Sequence, residues 1–71
     1  MKTLKQLRES KGLTQTKAAE QISKELNRTI SQEDISRWEC GKRSPKIDIR
    51  LAMAEVYGVP EIDAIKAIGG K

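Results

Sequence analysis

Apolar residues recur at intervals of three and four along five short segments of the chain, which is the spacing of one face of an α-helix. The predicted helices lie between residues 3 and 12, between 14 and 27, from 32 to about 40, from about 46 to 57, and from 60 to 68. No segment alternates between polar and apolar residues as a half-buried strand does. The pattern therefore predicts an all-α protein, a compact bundle of about five short helices that forms a single domain over residues 1–71.

Local signals mark the ends of these helices. Thr3 and Gln6 have the spacing of a capping box, in which each side chain accepts a hydrogen bond from the backbone of the other residue. Thr14 and Ser31 are expected to cap the second and third helices, because a short hydroxyl side chain satisfies a free N–H group of the first turn. The glycines expected to end the first, third and fourth helices are Gly12, Gly41 and Gly58.

The third predicted helix has one apolar side and one polar side. At about 100° per residue, Ile35 and Trp38 fall together and are expected in the core. The opposite arc, about 140° wide, carries an amide, a carboxylate, a hydroxyl and a guanidinium, which can bond base edges in the DNA major groove. Its residues are Gln32, Glu33, Ser36, Arg37 and Cys40. An ordinary solvated helix face has the same composition, so this arc alone does not distinguish the two.

Composition narrows the possible classes of function. A net charge of +4 is compatible with a polyanionic partner and equally with a merely solvated surface. One Trp, one Tyr and no Phe argue against RNA-binding modules, which stack bases on aromatic side chains. The chain has no His and one Cys, which argues against a zinc site, an intramolecular disulfide and a nucleophile activated by His. We therefore expect no enzymatic activity, no metal, no cofactor and no small-molecule ligand.

Apolar runs in the chain extend over only a few residues. Neither a transmembrane helix nor a signal peptide is predicted, because both need longer apolar stretches. We expect a cytoplasmic protein with no membrane partner.

Three separated blocks carry a resemblance to a known family. They are L-R-E-S-K-G-L-T-Q at 7–15, I-S-R-W-E-C-G-K-R-S-P at 35–45 and L-A-M-A-E-V-Y-G-V at 51–59. In this order, and over nearly the whole chain, they resemble the Cro/phage-repressor type of helix-turn-helix family. The resemblance implies a lambda-repressor-like DNA-binding domain, in which helices two and three form the DNA-reading unit. It also implies a transcriptional regulator, most simply a Cro-like repressor from a bacterium or phage that binds a palindromic operator as a dimer.

The resemblance assigns roles to individual residues. It places Gln32, Glu33, Ser36 and Arg37 at the base-reading positions of the recognition helix. The residues matched to phosphate contacts are Gln15, which also braces the recognition helix, and the loop residues Lys42, Arg43 and Ser44; Lys46 extends this basic loop. Arg8 and Glu39 match a pair that links helix one to helix three, and they support the recognition helix together with Ile35 and Trp38.

Two features depart from the family pattern. The stretch between Gln15 and Ile35 is about six residues longer than the usual pattern, and the extra residues fall at 23–29. Since Leu26 continues the apolar face of helix two, the simplest expectation is one or two added helical turns. Arg50 stands where the family usually has an aliphatic core residue. Its stem is expected to lie along the core with the guanidinium reaching solvent, and its partner is left open.

The fourth predicted helix is apolar on two sides. One face carries Ile47, Leu51, Ala54 and Tyr57, and a second stripe carries Ile49, Met53 and Val56. Such a helix is either enclosed by its own domain or covers a partner. We expect the second stripe to form a homodimer contact, together with Ile62, Ile65 and Ile68. This dimer can form on DNA even if the free chain is largely monomeric. The alternative function is a protein-interaction module, such as an antitoxin or antirepressor, built on the same fold.

Overall fold

Each predicted helix is present in the structure, a computed structural model that describes residues 2–69. The helices are α1 Leu4–Ser10, α2 Gln15–Leu26, α3 Gln32–Glu39, α4 Ile47–Tyr57 and α5 Glu61–Lys66. The prediction of an all-α fold is confirmed. None of the helices within the described residues combines the length and apolarity needed to cross a bilayer.

The predicted caps are formed by the residues that the sequence signals indicated. Thr3 Oγ1 accepts from the Gln6 N–H at 3.1 Å, and Gln6 Oε1 accepts from the Thr3 N–H at 3.0 Å, which completes the capping box of α1. Ser31 forms a second box with Asp34, a reciprocal contact that was not predicted from the sequence. These bonds satisfy N–H groups that have no partner inside the helix, so they fix where each helix begins.

The lengthened segment at 23–29 is mostly helix. Helix α2 runs for 12 residues to Leu26, and Asn27 then adopts a left-handed conformation with φ of 55° that ends it. The Ser23 hydroxyl donates to Ala19 O at 2.6 Å and accepts from the Ile30 N–H at 2.8 Å. Because this side chain bonds the end of the α2–α3 connection back to α2, the connection is held in place even though it is long.

The core lies around α4, which packs against α2 and α5. Leu4 and Leu7 of α1 reach it from one side, and Ile22 of α2 and Ile35 of α3 from the others. In so short a chain, this single cluster supplies most of the apolar burial that stabilises the fold.

The prediction that the second stripe of α4 forms a dimer contact is wrong. Ile49, Met53 and Val56 are buried in the protein's own core, with 5%, 0% and 9% of their surface exposed. The buried positions of α4 cover an arc of about 200° on a helical wheel, wide enough to join the two predicted stripes. Ile47 and Leu51, the other members of the first stripe, lie outside this arc, beyond Ala54, and are exposed. The second stripe of α4 is therefore covered by the protein's own domain, because α2 and α5 pack on adjacent parts of the helix.

Arg50 binds backbone carbonyl groups and does not extend into solvent as expected. Its Nε donates to Pro45 O at 3.2 Å, and its Nη1 lies 2.7–3.1 Å from the carbonyl oxygens of Ala64, Ile65 and Ala67. Carbonyl groups in the last turn of a helix have no partner inside the helix and carry partial negative charge, so a guanidinium suits them. This one side chain attaches the end of α5 to α4 and to the preceding loop.

The predicted isoleucine stripe of α5 ends earlier than expected. The helix stops at Lys66, and Ile68 lies beyond it in a short pairing with the start of the chain. Leu4 N donates to Ile68 O at 2.9 Å, and Ile68 N donates to Lys2 O at 3.3 Å. Gly69 then passes so close to α3 that a Cβ atom on it would meet Trp38 O at 1.9 Å. The C-terminal segment thus packs on both α1 and the end of α3.

Replacing Arg50 tests the attachment of α5. Arg50→Met keeps an apolar stem of similar length but removes every hydrogen bond to the carbonyl groups. We expect the free energy of unfolding to fall by about 1.5–3 kcal/mol, the usual contribution of hydrogen bonds made by a charged donor. Urea denaturation measures the change, and Lys66→Met, an exposed basic residue of α5, serves as the control. Equal stability of the two variants would contradict this role.

Candidate nucleic-acid interface

Helix α3 presents the predicted base-reading residues on its outer side. Ile35 and Trp38 are buried on the inner side, as the wheel predicts. Gln32, Glu33 and Arg37 are exposed, and Ser36 is half-buried between them. The four polar side chains therefore share one surface that a ligand can reach along the helix.

A chain of hydrogen bonds joins this surface to the interior. Gln32 Nε2 donates to Gln15 Oε1 at 2.8 Å, and Gln15 Nε2 donates to Glu39 Oε1 at 3.0 Å. Glu39 in turn accepts from Arg8 Nε at 2.6 Å and from Arg8 Nη2 at 3.1 Å. Gln15, the first residue of α2, thus lies between the exposed Gln32 and a buried ion pair.

The Arg8–Glu39 pair connects α1 to α3 inside the protein. Their side chains are only 9% and 6% exposed, and the contact is bidentate, so the guanidinium matches the carboxylate in shape as well as charge. Arg8 Nη1 also donates to Leu13 O at 2.7 Å. The hydrogen bonding that Arg8 donates to the Glu39 carboxylate is the main reason that the pKa of Arg8 is raised above its ordinary value. The Arg8 guanidinium therefore remains charged, and its contact with Glu39 holds α3 against α1.

The charges of this pair act electrostatically on Tyr57. Burial, followed by the nearby Glu39 carboxylate, raises the pKa of the Tyr57 hydroxyl well above its ordinary value. The phenol of the folded protein is therefore neutral near neutral pH. Its hydroxyl has no hydrogen-bond partner among residues 2–69, so Tyr57 contributes through its apolar ring.

The predicted phosphate-binding loop lines an open cavity of about 510 Å³. Lys42 N and Arg43 N both donate to Arg37 O, at 3.1 and 3.4 Å, so the loop begins fixed to the end of α3. Trp38 and Ile49 add an apolar surface to the cavity. We call this site the basic cavity; its lining residues are Arg28, Trp38, Lys42, Arg43, Ser44, Lys46 and Ile49.

Arg28 in this cavity was not identified from the sequence. It lies in the lengthened connection, outside any helix, so no helical wheel places it near the loop after α3. The signal available was a basic residue directly after Asn27, a residue type that tolerates the left-handed turn found there. Its position beside Lys42 and Arg43 is a consequence of the tertiary fold.

Acidic residues concentrate in a different groove. A surface groove between α2, α4 and α5 is lined by four carboxylates, from Glu25, Asp48, Glu55 and Glu61. Asp48 also pairs with Arg28 across 3.5 Å, and both side chains are about half exposed, at 51% and 50%. The Arg28–Asp48 pair therefore marks the boundary between an acidic groove and the basic cavity.

The remaining predicted dimer residues, two in α5 and one just after it, are exposed. Ile62, Ile65 and Ile68 have 53%, 39% and 49% of their surface exposed. With Ile47 and Leu51 of α4, they are the large apolar side chains left on the surface of the described chain. An exposed apolar side chain is available for a partner, whereas the α4 stripe is not.

Comparison with known proteins gives a family match. The family described as a helix-turn-helix domain matches residues 2–64, which include α1 to α4 and more than half of α5. Neither the curated proteins nor the solved structures gave a significant match. The matched family is broader than the Cro/phage-repressor type, so that narrower resemblance stays a prediction.

Substitutions in the Arg8–Glu39 pair test how α3 is held. Arg8→Met leaves the Glu39 carboxylate buried without its cation, so we expect a loss of about 3–5 kcal/mol in the free energy of unfolding. The double variant Arg8→Met/Glu39→Leu should recover most of this loss, because no buried charge remains. Urea denaturation of both variants measures the free energy of unfolding, and Lys5→Met, at an exposed position of α1, serves as the control. A double variant no more stable than Arg8→Met would contradict the account.

Proposed function

Since the chain belongs to the helix-turn-helix domain family, we propose that it is a sequence-specific transcriptional regulator that binds double-stranded DNA with α3 in the major groove. The observation that carries this proposal is the outer surface of α3, which presents four polar side chains from a helix fixed by buried contacts. An α-helix with its side chains is about 10–12 Å wide and matches a major groove of about 12 Å.

The proposed base contacts follow from the chemistry of each side chain. Arg37 can donate two hydrogen bonds to guanine, and Gln32 can pair with adenine through its amide. Glu33 can accept from cytosine, and the Ser36 hydroxyl can bond several bases. In the free protein, Arg37 Nη1 lies 3.4 Å from Asp34 Oδ1. Such an exposed pair contributes little free energy, so Arg37 can exchange it for a base.

The proposed contacts with the DNA backbone lie at the two ends of the helix-turn-helix, at the start of α2 and in the loop after α3. Lys42, Arg43, Ser44 and Lys46 supply charge and a hydroxyl from the loop after α3. Gln15 supplies an amide at the start of α2, where free N–H groups also favour an anion. Contacts of this kind position a protein on DNA and carry no sequence information themselves.

We also propose that the protein acts as a repressor and binds DNA as a dimer. One short helix touches too few base pairs to mark a single site in a genome, and two-fold symmetry doubles the sequence that is recognised. The exposed isoleucines of α5 offer the apolar surface for this symmetry. The resemblance to Cro-like repressors supports a protein whose output depends on its concentration and on a palindromic operator.

Binding-site selection from random duplex DNA, followed by gel shifts at several salt concentrations, tests DNA binding. We expect affinity to fall by orders of magnitude between about 50 and 200 mM salt, because counterions are released from each contacted phosphate. Arg37→Ala should cost about 1–3 kcal/mol on the selected site and relax base preference there. Lys42→Ala should weaken all sequences alike and lower the salt slope by about one.

Two results would refute parts of this proposal. Absence of binding to any duplex pool at low salt would remove DNA as the partner and favour a protein-interaction module. An unchanged consensus for Arg37→Ala would show that the base-reading surface lies elsewhere.

The dimer is tested by adding charge to α5. Ile62→Lys places a cation in the proposed contact, at a side chain exposed enough to leave the fold intact. We expect cooperative binding to a palindromic site to be lost and weak half-site binding to remain. Ile47→Lys adds the same charge at an exposed isoleucine of α4 and should behave like the unmodified protein. Circular dichroism checks both folds, and cooperative binding by folded Ile62→Lys would refute this interface.

A further inference from the structure

We propose that Arg28 is an additional DNA-backbone contact, which acts with Lys42, Arg43 and Lys46 to bind one phosphodiester segment in the basic cavity. This inference rests on the proposed DNA-binding function and adds a residue that neither the sequence patterns nor the family match assigns. The connection before α3 and the loop after it would then hold the DNA backbone together.

The charge of the cavity calls for an anion. Four cationic side chains line the same open space, and like charges at short range repel one another. Among residues 2–69, the ion pairs include Arg28 with Asp48, and none involves Lys42, Arg43 or Lys46. A phosphodiester placed among these side chains would attract each of them and offset their mutual repulsion.

Arg28 is carried by a well-fixed backbone. Its N–H donates to Ser23 O at 3.1 Å, directly after the left-handed turn at Asn27. Ile30, two residues later, is tied to the Ser23 hydroxyl and is buried. Because little backbone freedom is lost on binding, the guanidinium can bind an anion at a lower entropic cost than a residue of a loose loop.

Asp48 holds Arg28 only weakly in the free protein. Their closest atoms are 3.5 Å apart and both side chains are about half exposed, so solvent screens the pair. A DNA phosphate offers the guanidinium two oxygens in the fork geometry that it matches best. We therefore infer that Arg28 exchanges Asp48 for a phosphate when DNA binds.

The position of the cavity favours the DNA backbone over a free anion. Arg28 lies three residues before the Ser31 cap of α3, and Lys42 lies two residues after its C-cap Cys40. A helix that lies in the major groove is flanked by phosphates, so residues at both of its ends can reach them. The apolar surface of Trp38 and Ile49 also lowers the local polarity, which strengthens ionic contacts made there.

The salt dependence of binding tests the contact. Removing one phosphate contact lowers the slope of log K against log salt by about 0.9. Between about 50 and 200 mM salt, the unmodified protein should lose about 3.5-fold more affinity than Arg28→Ala. The loss in Arg28→Ala should be equal on all duplex sequences, with the selected consensus unchanged. Lys5→Ala removes the same charge from an exposed position on α1, outside the cavity, and should keep the full slope.

The exchange with Asp48 is tested by a double-mutant cycle. Asp48→Asn should tighten DNA binding because it frees Arg28, and this gain should shrink in an Arg28→Ala background. A gain of equal size in both backgrounds would show that Asp48 only repels DNA at a distance, and the exchange would be refuted.

Trp38 provides a direct signal, because it is the single Trp of the chain and lines the cavity. Its fluorescence should change on addition of duplex DNA at low salt and change less in Arg28→Ala. Inorganic phosphate alone, at the same ionic strength, should give no such change at concentrations where DNA saturates. A response to inorganic phosphate without a response to DNA would make the cavity a site for a free anion and overturn the proposal.

The outcomes separate the two levels of inference. If the unmodified protein binds no duplex at low salt, the proposed function fails and the role of Arg28 fails with it. If the unmodified protein binds DNA and folded Arg28→Ala keeps the full salt slope, the proposed function stands and Arg28 is not a backbone contact.

Discussion

The buried ion pair between Arg8 and Glu39 is the interaction on which the candidate interface depends. Removing two charges from water is costly, and the cost is offset only when geometry and hydrogen bonding are good. Here the bidentate contact, the bond to Leu13 O and the Gln15 amide meet that condition. These hydrogen bonds are directional, so they depend more steeply on the orientation of α3 than apolar contacts do. The orientation of α3 is thus set by α1 and α2 through polar contacts inside the core.

The polar contacts of the protein fall into two groups by burial. The contacts that hold the helices together are buried or half-buried, as are those of Arg8 and Arg50. Two ion pairs of the proposed DNA-binding side chains are exposed, Arg37 with Asp34 and Arg28 with Asp48, whereas Gln15 also bonds the buried Glu39. Exposed pairs break at little cost while buried ones do not. The surface can therefore change partners without loosening the scaffold beneath it.

Features that depend on neighbouring residues could be predicted from the sequence. The capping box of Thr3 and Gln6 spans three residues, and the inner side of α3 follows from helical spacing alone. The inner face of α4 could not be predicted, because a wheel gives directions and does not show that both α2 and α5 cover it. The pair of Arg28 with Asp48 and the bonds from Arg50 to the end of α5 join residues at least 14 positions apart, and no local pattern encodes them. The fold class was thus predictable, whereas the cavity and the availability of each apolar stripe required the tertiary structure.

The pairing of Leu4 with Ile68 has a consequence for the order of folding. Closing a loop costs more conformational entropy as the intervening chain lengthens, and this contact encloses most of the described residues. It can form cheaply only after the helices between have docked, so it should close late and open early. Local opening there would release Gly69 from the carbonyl of Trp38 before the core itself is disturbed. Amide hydrogen exchange should then be faster at Leu4 and Ile68 than at Met53, and the end of α3 would fluctuate together with Ile68 and Gly69.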